Sequence, residues 1–357
     1  MALIPEWAPN LHPILVHFPI GIILLAVFMN IVTFFLPDKW WDELKTTILY
    51  GIGTVSLVAA YYTGTIAADS IFMPTEAQNV LNSHADWAWW TVWFLGAYLL
   101  LRILFHYFKL MDQKMMRTIA FITVLPGIFF LYETGDHGAE MVFGYSVGTG
   151  QLIQQQESSS VSADSLSNAD KSTFVQKDNG SWSWEVGPTG VSTLLSHFQW
   201  LEGSATNLQP KIVSSNGNYL LQLDVDATSN FFVEESTFQN VQVDYYLDLS
   251  DFEGSLSLVN HLQDAQNYDF VTLNTEGTIS QGRVENGSRE VFAKESYSAS
   301  EMLFIRTVAN GTHFRAYINK EMAVHGHGDA PEGGKVGIKL NGQGQILIDK
   351  ISVTQLN

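Results

Sequence analysis

Four histidines occupy the ends of long apolar stretches in the N-terminal half of the chain, where a titratable side chain is costly and usually functional. They are His12, His17, His84 and His137. Two carboxylates, Glu133 and Asp136, lie next to the last of them. Imidazole and carboxylate groups bind transition metals, and imidazole is also an axial ligand of haem iron. These residue types indicate a metal or haem site if the fold brings them together.

Four apolar runs have to position these side chains. They extend over about residues 11–36, 47–68, 87–108 and 118–134, and each has roughly the 17–25 apolar residues that a transmembrane helix needs. The Lys and Arg residues of this half lie in two short connections, residues 37–46 and 109–117, and at Arg102. The longer connection, residues 69–86, has none. The positive-inside rule therefore predicts four membrane helices with both termini and all four histidines on the outer side, which in a bacterial inner membrane is the periplasmic side.

The spacing of the histidines limits how they can be combined. His12 and His17 are five residues apart, which places them roughly 140° apart around a helix. Each is therefore expected to face a different partner helix. We expect His17 and His84 to be the first ligand pair, and His12 and His137 to be the second. His106, alone near the cytoplasmic end of the third run, is interpreted as an interfacial residue.

Three interpretations of these groups remain open. In the first, two imidazoles from different helices hold a non-covalent b-type haem near the periplasmic face. In the second, histidine together with Glu133 or Asp136 binds a metal ion such as zinc or copper. In the third, the same groups form a hydrogen-bonded polar network that fixes helix packing and binds no cofactor.

The absence of cysteine narrows the redox chemistry that the chain can support. It excludes covalent c-type haem, iron–sulfur clusters and disulfide bonds. The chain is also acidic, with a formal net charge of -18. This charge argues against a nucleic-acid partner, because it would repel phosphate groups.

The segment Leu11-His-Pro-Ile-Leu-Val-His-Phe-Pro-Ile20 resembles the opening motif of a bacterial membrane family, domain of unknown function 2231. Thr63–Gly64, His84 and the glycine-containing segment 134–148 resemble other parts of its pattern, within residues 8–150. The family name implies no activity, but some members are joined to cytochrome c-type domains. The resemblance therefore implies electron transfer, with any c-type cytochrome supplied by a separate protein.

Residues 151–173 are rich in Gln, Ser, Asn and Asp, which predicts a flexible linker between two domains, residues 1–150 and 174–357. The second domain has short alternating runs separated by Gly, Asn and Asp, a pattern typical of an all-β sandwich or jelly roll. Its last runs, Gly334–Leu340 and Ile348–Val353, resemble those of concanavalin-like jelly rolls. Among these, the resemblance is to keto-disaccharide hydrolase-like domains (domain of unknown function 1080).

Three sets of side chains in the second domain could act on a sugar or a metal. The carboxylates include Asp224, Asp226, Asp244, Asp248, Asp251 and Glu253. A glycosidase needs two carboxylates that flank a sugar, but the sequence does not single out a pair. Trp182, Trp184 and Trp200 could stack on sugars, although packing in the core or at its rim is favoured. His325-Gly-His327 is expected to lie in a solvated loop, since nothing nearby in the sequence completes a set of metal ligands.

The combined interpretation is a haem-binding electron carrier, or a subunit of a larger redox complex, rather than an enzyme with its own substrate. Its expected partners are the lipid bilayer and other redox subunits such as a c-type cytochrome. The alternative is a membrane-anchored subunit whose jelly roll binds a glycan or docks a partner protein, with the histidines structural. A periplasmic hydrolase that acts on glycosides or keto-sugars is the third interpretation.

Overall fold

The computed structural model describes residues 10–35, 39–148, 173–215, 217–298 and 302–356. It contains two compact units, Met1–Leu152 and Ile153–Asn357, which we call the membrane domain and the β-domain. The predicted linker, residues 151–173, lies outside the described residues except for Thr173.

Helices build the membrane domain. Their bounds are α1 His12–Leu15, α2 His17–Val32, α3 Glu43–Asp69, α4 Gln78–Tyr107 and α5 Lys114–Phe143, with 3-10 turns at Thr75–Ala77 and Leu110–Asp112. Helices α1 and α2 form one continuous candidate span, so four elements are long and apolar enough to cross a bilayer. The four apolar helices predicted from the sequence are thus confirmed.

Two helices are longer than the apolar runs that predicted them. Helix α4 begins at Gln78 rather than near residue 87, and α5 continues to Phe143 rather than ending near residue 134. A helix satisfies its own backbone hydrogen bonds, so it can continue into polar sequence after the apolar run has ended. His84 and His137, predicted to flank helices, therefore lie within them.

The helices approach one another closely where glycine removes a side chain. A Cβ atom at Gly53 of α3 would lie 2.7 Å from the side chain of Ile23 on α2. One at Gly127 of α5 would lie 2.8 Å from the ring of Phe94 on α4. The outward faces carry large exposed apolar side chains, such as Phe28. Small residues thus allow tight packing inside the bundle, while lipid covers its outer surface.

A buried ion pair and the hydrogen bonds around it join three helices of the bundle. Arg102 of α4 is 0% exposed, and its guanidinium nitrogen lies 2.6 Å from a carboxylate oxygen of Glu43 on α3. The same guanidinium donates hydrogen bonds to Thr47 Oγ1 of α3 at 2.8 Å and to Asn30 Oδ1 of α2 at 3.1 Å. The ring of Tyr50 lies 5.0 Å from the guanidinium carbon. Arg102, which the sequence analysis counted among the cytoplasmic basic residues, therefore belongs to the interior of the bundle.

We expect Arg102→Met to destabilise the membrane domain, because it leaves the Glu43 carboxylate buried without its cation. The free energy of unfolding should fall by about 3–5 kcal/mol, seen as a lower Tm of the full-length protein in detergent. Adding Glu43→Gln should restore part of the loss. The control is Lys45→Met, since the ion pair of Lys45 with Asp42 is exposed and should contribute less than about 1 kcal/mol. Equal losses in Arg102→Met and Lys45→Met would contradict this assignment.

The β-domain consists of strands with two short helices. The strands are β1 Thr173–Gln176, β2 Trp182–Glu185, β3 Phe198–Glu202, β4 Lys211–Ser215, β5 Asn218–Asp226, β6 Asn230–Phe238, β7 Val241–Asp248, β8 Phe252–Asp264, β9 Asn267–Asn274, β10 Thr278–Glu285, β11 Ser288–Ser296, β12 Leu303–Asn310, β13 His313–Ile318, β14 Glu321–His327 and β15 Gly334–Gln355. The helices are α6 Gly190–His197 and α7 Ala205–Leu208. The alternation of the sequence predicted this all-β architecture.

Strand β15 belongs to two sheets. Its first half, residues 334–344, pairs with β6 on one side and β8 on the other. Its second half, residues 343–355, pairs with β7 on one side and with β5 and then β2 on the other. The first sheet thus runs β11-β10-β9-β8-β15-β6-β3, and the second runs β14-β13-β12-β7-β15-β5-β4. All these pairings are antiparallel, and the fold is the predicted jelly-roll sandwich.

Glycine permits the change of sheet within β15. Gly344 has φ +112, a conformation that residues with a side chain rarely adopt. A Cβ atom at Gly344 or Gly342 would collide with the carbonyl oxygen of Asp251 or Glu253, respectively. Side chains from both sheets form one hydrophobic core, which includes Trp184, Phe232, Tyr245, Leu258, Phe314 and Ile348.

Candidate functional site

His12 is the first residue of α1, and its ring reaches helix α3. Nδ1 donates a hydrogen bond to the carbonyl oxygen of Ala60 at 3.0 Å and lies 3.4 Å from Thr63 Oγ1. Gly64 leaves room for the ring, since a Cβ atom there would lie 3.0 Å from Cε1 of His12. A carbonyl oxygen can only accept, so Nδ1 carries a proton and Nε2 of the neutral ring keeps a lone pair.

His84 repeats this arrangement between the other two helices. Its Nδ1 donates to the carbonyl oxygen of Thr134 on α5 at 2.8 Å. A Cβ atom at Gly138 would lie 3.1 Å from Cε1 of His84, so here too a glycine leaves room for the imidazole. Histidines that bind metals usually donate their other ring nitrogen to such a fixed acceptor, which sets the orientation of the ring.

The two anchored rings lie next to each other. The ring centres of His12 and His84 are 6.4 Å apart, with an angle of 77° between the ring planes. A metal–imidazole bond is about 2.0–2.1 Å long, so two rings on opposite sides of one ion have centres roughly 6 Å apart. The spacing between the rings therefore fits two ligands of one metal atom.

The other predicted ligands take different positions. His17 is exposed, and its Nδ1 donates to the carbonyl oxygen of Pro13 in the preceding turn at 2.7 Å. His137 donates to the carbonyl oxygen of Glu133 in its own helix at 2.8 Å, and its Nδ1 lies 4.0 Å from the carboxylate of that residue. Asp136 is exposed. The structure thus brings the rings of His12 and His84, one member of each predicted pair, next to each other, and His137 lies within electrostatic range of His84.

His106 belongs to the buried network around Arg102. Its Nε2 lies 2.9 Å from Thr47 Oγ1 and 3.3 Å from the carbonyl oxygen of Glu43. The ring therefore supports the ion pair at that end of the bundle, far along α4 from His84. This contact is more specific than the interfacial role expected from the sequence.

A polar groove of about 980 Å³ lies in the β-domain, between the ends of strands β8 to β11 and the segment that follows β14. Its lining includes His261, Asn267, Tyr268, Asp269, Arg283, Glu285, Asn286, Glu290, His327, Asp329 and Glu332. Five of these residues are acidic, whereas Arg283 is the one arginine or lysine in the lining. The groove therefore offers many hydrogen-bonding groups in an acidic setting.

One ion-pair network holds the wall of the groove in place. The buried carboxylate of Asp269 accepts from Arg283 Nε at 2.6 Å and lies 2.8 Å from Nδ1 of His261. Arg283 also donates to the carbonyl oxygen of Asp329 at 3.0 Å, and the hydrogen-bonded Asp269 raises its pKa. His261 has a left-handed backbone (φ 52) and its Nε2 donates to the carbonyl oxygen of Gln239 at 3.1 Å. Asp269 is therefore held by protein groups and fixes the shape of the groove.

The side chains that the sequence analysis proposed for sugar chemistry lie elsewhere. Asp224 binds Lys211 at 2.9 Å, and the side chains of Gln222 and Lys211 hold its pKa below the ordinary value. Asp244 pairs with Arg306 at 2.7 Å. The tryptophans pack as favoured: Trp182 and Trp184 are buried in the core and Trp200 packs against it.

The prediction of a solvated loop at His325-Gly-His327 is wrong. These residues form the end of strand β14, and His313 on β13 lies beside them. Burial lowers the pKa of His313 to about 3, with Arg315 and the two neighbouring histidines adding to the effect. Sequence reasoning missed His313 because the pairing of β13 with β14, rather than closeness in sequence, brings the three rings together.

A known protein family matches the membrane domain. Residues 8–151 match the family described as "Predicted membrane protein (DUF2231)". This match confirms the resemblance noted for the Leu11–Ile20 segment. The description names no activity, and no curated protein matches the chain.

Several solved structures resemble the chain over less than half of its length. A carbohydrate binding module, CBM66 from Bacillus subtilis, is 14% identical, with 43% of this chain and 94% of that chain covered and a TM-score of 0.35. A protein of unknown function with a galectin-like fold, also from Bacillus subtilis, is 13% identical (46% and 91% covered, TM-score 0.37). A Bacillus licheniformis β-glucanase is 10% identical (45% and 92% covered, TM-score 0.35). At these scores the fold assignment rests on the strand pairings themselves.

We expect Asp269→Asn to destabilise the β-domain, because it removes the charge that balances Arg283 in a buried setting. The free energy of unfolding should fall by about 3 kcal/mol, measured by thermal unfolding of the full-length protein. Glu295→Gln is the control, since Glu295 is exposed on β11 and should change stability by less than about 0.5 kcal/mol. An unchanged Tm in Asp269→Asn would contradict the structural role of the network.

Proposed function

We propose that the protein is a membrane-anchored glycan-binding protein, in which the helices hold the β-domain at the membrane and the polar groove binds the glycan. The observation that carries this proposal is the groove of about 980 Å³ lined by hydrogen-bonding side chains on strand ends. Strand-borne side chains are held in place before a ligand arrives, which lowers the entropic cost of binding.

The chemistry of the lining suits hydroxyl groups. A sugar hydroxyl both donates and accepts, so its site needs acceptors and donors within reach. Glu285 and Glu290 are exposed acceptors, while Asn286 and the Tyr268 hydroxyl can donate. The aromatic face of Tyr268 adds an apolar surface of the kind that covers one side of a sugar ring.

The charge of the groove limits the class of glycan. Five acidic residues and a single arginine line it, and Arg283 is already paired with Asp269. Such a site repels sulfated sugars and uronic acids, whereas it accepts neutral or amino sugars. We therefore propose neutral or amino-sugar polysaccharides as the ligands.

We expect the full-length protein in detergent micelles to bind a neutral or amino-sugar polysaccharide, measured by isothermal titration calorimetry with soluble oligosaccharides. Glu290→Gln should weaken binding about tenfold, because a hydrogen bond to a charged group is lost. The matched control is Glu295→Gln on the same strand, outside the groove, which should bind as the unaltered protein does. Binding of acidic glycans alone, or of no glycan, would overturn the proposal.

The pair His12 and His84 favours a second candidate function, electron transfer through a b-type haem in the membrane domain. The supporting observation is the distance of 6.4 Å between two imidazoles, each fixed through Nδ1 to a carbonyl oxygen of a neighbouring helix. A haem bound there would take up and release one electron at a time. His12 and His84 would hold the haem iron, and the carbonyl oxygens of Ala60 and Thr134 would orient their rings.

The orientation of the helices decides which partners such a haem would have. We propose that His12 and His84 lie on the periplasmic side of an inner membrane, the side that the distribution of Lys and Arg favours. An electron donor or acceptor would then be a periplasmic or membrane redox protein such as a c-type cytochrome. A zinc or copper ion on the same two histidines is the alternative occupant.

We expect a reduced-minus-oxidised visible spectrum of the full-length protein, purified from a haem-supplied host, to show the sharp bands of a six-coordinate b-type haem. His12→Ala and His84→Ala should abolish them, whereas His17→Ala should leave them intact, because His17 is exposed and its Nδ1 donates to Pro13 in the preceding turn. A colourless protein, or loss of the bands in His17→Ala alone, would contradict this assignment. Zinc or copper that a colourless protein binds, and that His12→Ala and His84→Ala lose, would identify the alternative occupant.

A further inference from the structure

Three histidines of the β-domain share one face of a pair of strands. In the register of β13 and β14, His313 lies opposite His327, and Arg315 lies opposite His325. Residues that are opposite each other, or two apart on one strand, project from the same face of an antiparallel pair. His313, His325 and His327 therefore point to the same side.

The distances between the rings are those of a compact cluster. The ring centre of His327 is 4.8 Å from that of His313 and 4.8 Å from that of His325, and the remaining pair is 6.3 Å apart. One ring nitrogen from each residue lies within 4.8 Å of the other two. Three nitrogens bound to one tetrahedral ion are roughly 3.3 Å apart, so small rotations of the side chains suffice to bind it.

The opposite face of β14 fixes the direction of these side chains. Gly326 and Gly328 alternate with the two histidines, and the ring and Cβ of Phe292 fill the space that side chains there would need. A Cβ atom at Gly326 would lie 2.7 Å from Cβ of Phe292, and one at Gly328 would lie 2.6 Å from its ring. Because side chains alternate along a strand, this packing directs His325 and His327 to the other side.

We propose that His313, His325 and His327 bind one divalent transition-metal ion of the zinc class. Three imidazoles are the ligands that zinc, copper and nickel prefer, whereas calcium and magnesium require oxygen ligands. The three histidines differ in their exposure to solvent: His313 is buried, His325 is half-buried and His327 is exposed. A site with three histidines and one exposed side resembles catalytic zinc sites, which keep a position for water or substrate, more than closed structural sites.

Arg315 influences what else the ion would bind. Arg315 is 2% exposed and lies opposite His325, on the same face of β13 and β14 as the three histidines. Its positive charge disfavours a bare cation nearby but stabilises an anionic fourth ligand. The ion is therefore expected to carry hydroxide or a carboxylate in its remaining position.

The test is a Zn²⁺ titration of tag-free, full-length protein in detergent after treatment with EDTA, followed by isothermal titration calorimetry. One Zn²⁺ per chain should bind in the unaltered protein and be lost in His325→Ala and in His327→Ala. Loss of a partner that only orients a ligand weakens binding 10–100-fold, so loss of a ligand should weaken it more than about 100-fold. Co²⁺ should give the intense visible bands of a tetrahedral site in the unaltered protein only.

Two controls separate this site from other metal ligands in the chain. His197→Ala removes an exposed histidine of the β-domain that stacks on Phe174, and it should bind Zn²⁺ unchanged. The double variant His12→Ala and His84→Ala should also keep the β-domain site. A thermal unfolding curve for each variant verifies the fold. Equal Zn²⁺ affinity in His325→Ala, His327→Ala and the unaltered protein, or no bound Zn²⁺ in any of them, would overturn the proposal.

Discussion

The hydrocarbon core of a bilayer supplies no hydrogen-bond partners, and the organisation of the membrane domain follows from this constraint. Helices satisfy the backbone internally, and polar side chains must find their partners within the protein. Arg102 meets this requirement through Glu43, Thr47 and Asn30, at one end of α4. His12 and His84 meet it at the other end of the bundle by donating to backbone carbonyl groups of a neighbouring helix. The same bonds that remove an unsatisfied donor leave each imidazole with a second nitrogen for a ligand.

The β-domain uses a different solution, because its strands satisfy the backbone by pairing with other strands, either with the next strand along the chain or, for β15, with strands far away in sequence. Pairing also decides where chemistry occurs. His313 and His327 become neighbours through the register of two strands, and Asp269 and Arg283 become neighbours in the same way on β9 and β10. The two residues of each pair lie directly opposite each other on neighbouring strands. The shape of the groove and the histidine cluster therefore depend on the register of these strands.

Sequence reasoning predicted the classes of element well and their ends less well. Apolar runs revealed four helices because lipid imposes a length and a composition. The apolar runs underestimated the lengths of α4 and α5. Gln78–Ala85 and Gly135–Phe143 are polar enough to look like loops, yet their backbones remain helical. The pairing of His12 with His84 was harder to predict, since it depends on how far α1 packs along α3. Gly64 and Gly138 carried a signal, because a glycine opposite each histidine makes room for its ring.

Strand β15 makes the two sheets of the β-domain interdependent during folding. It pairs with five strands and completes both sheets, yet it follows all of those strands along the chain. Until Gly334–Gln355 has docked, neither sheet has its central strand, and the edges of β6, β7 and β8 stay open. Contacts over such sequence separations form slowly, and open strand edges invite pairing with other chains. A chain cut before this strand would therefore leave both sheets without their central strand, so this one strand couples the folding of the two sheets.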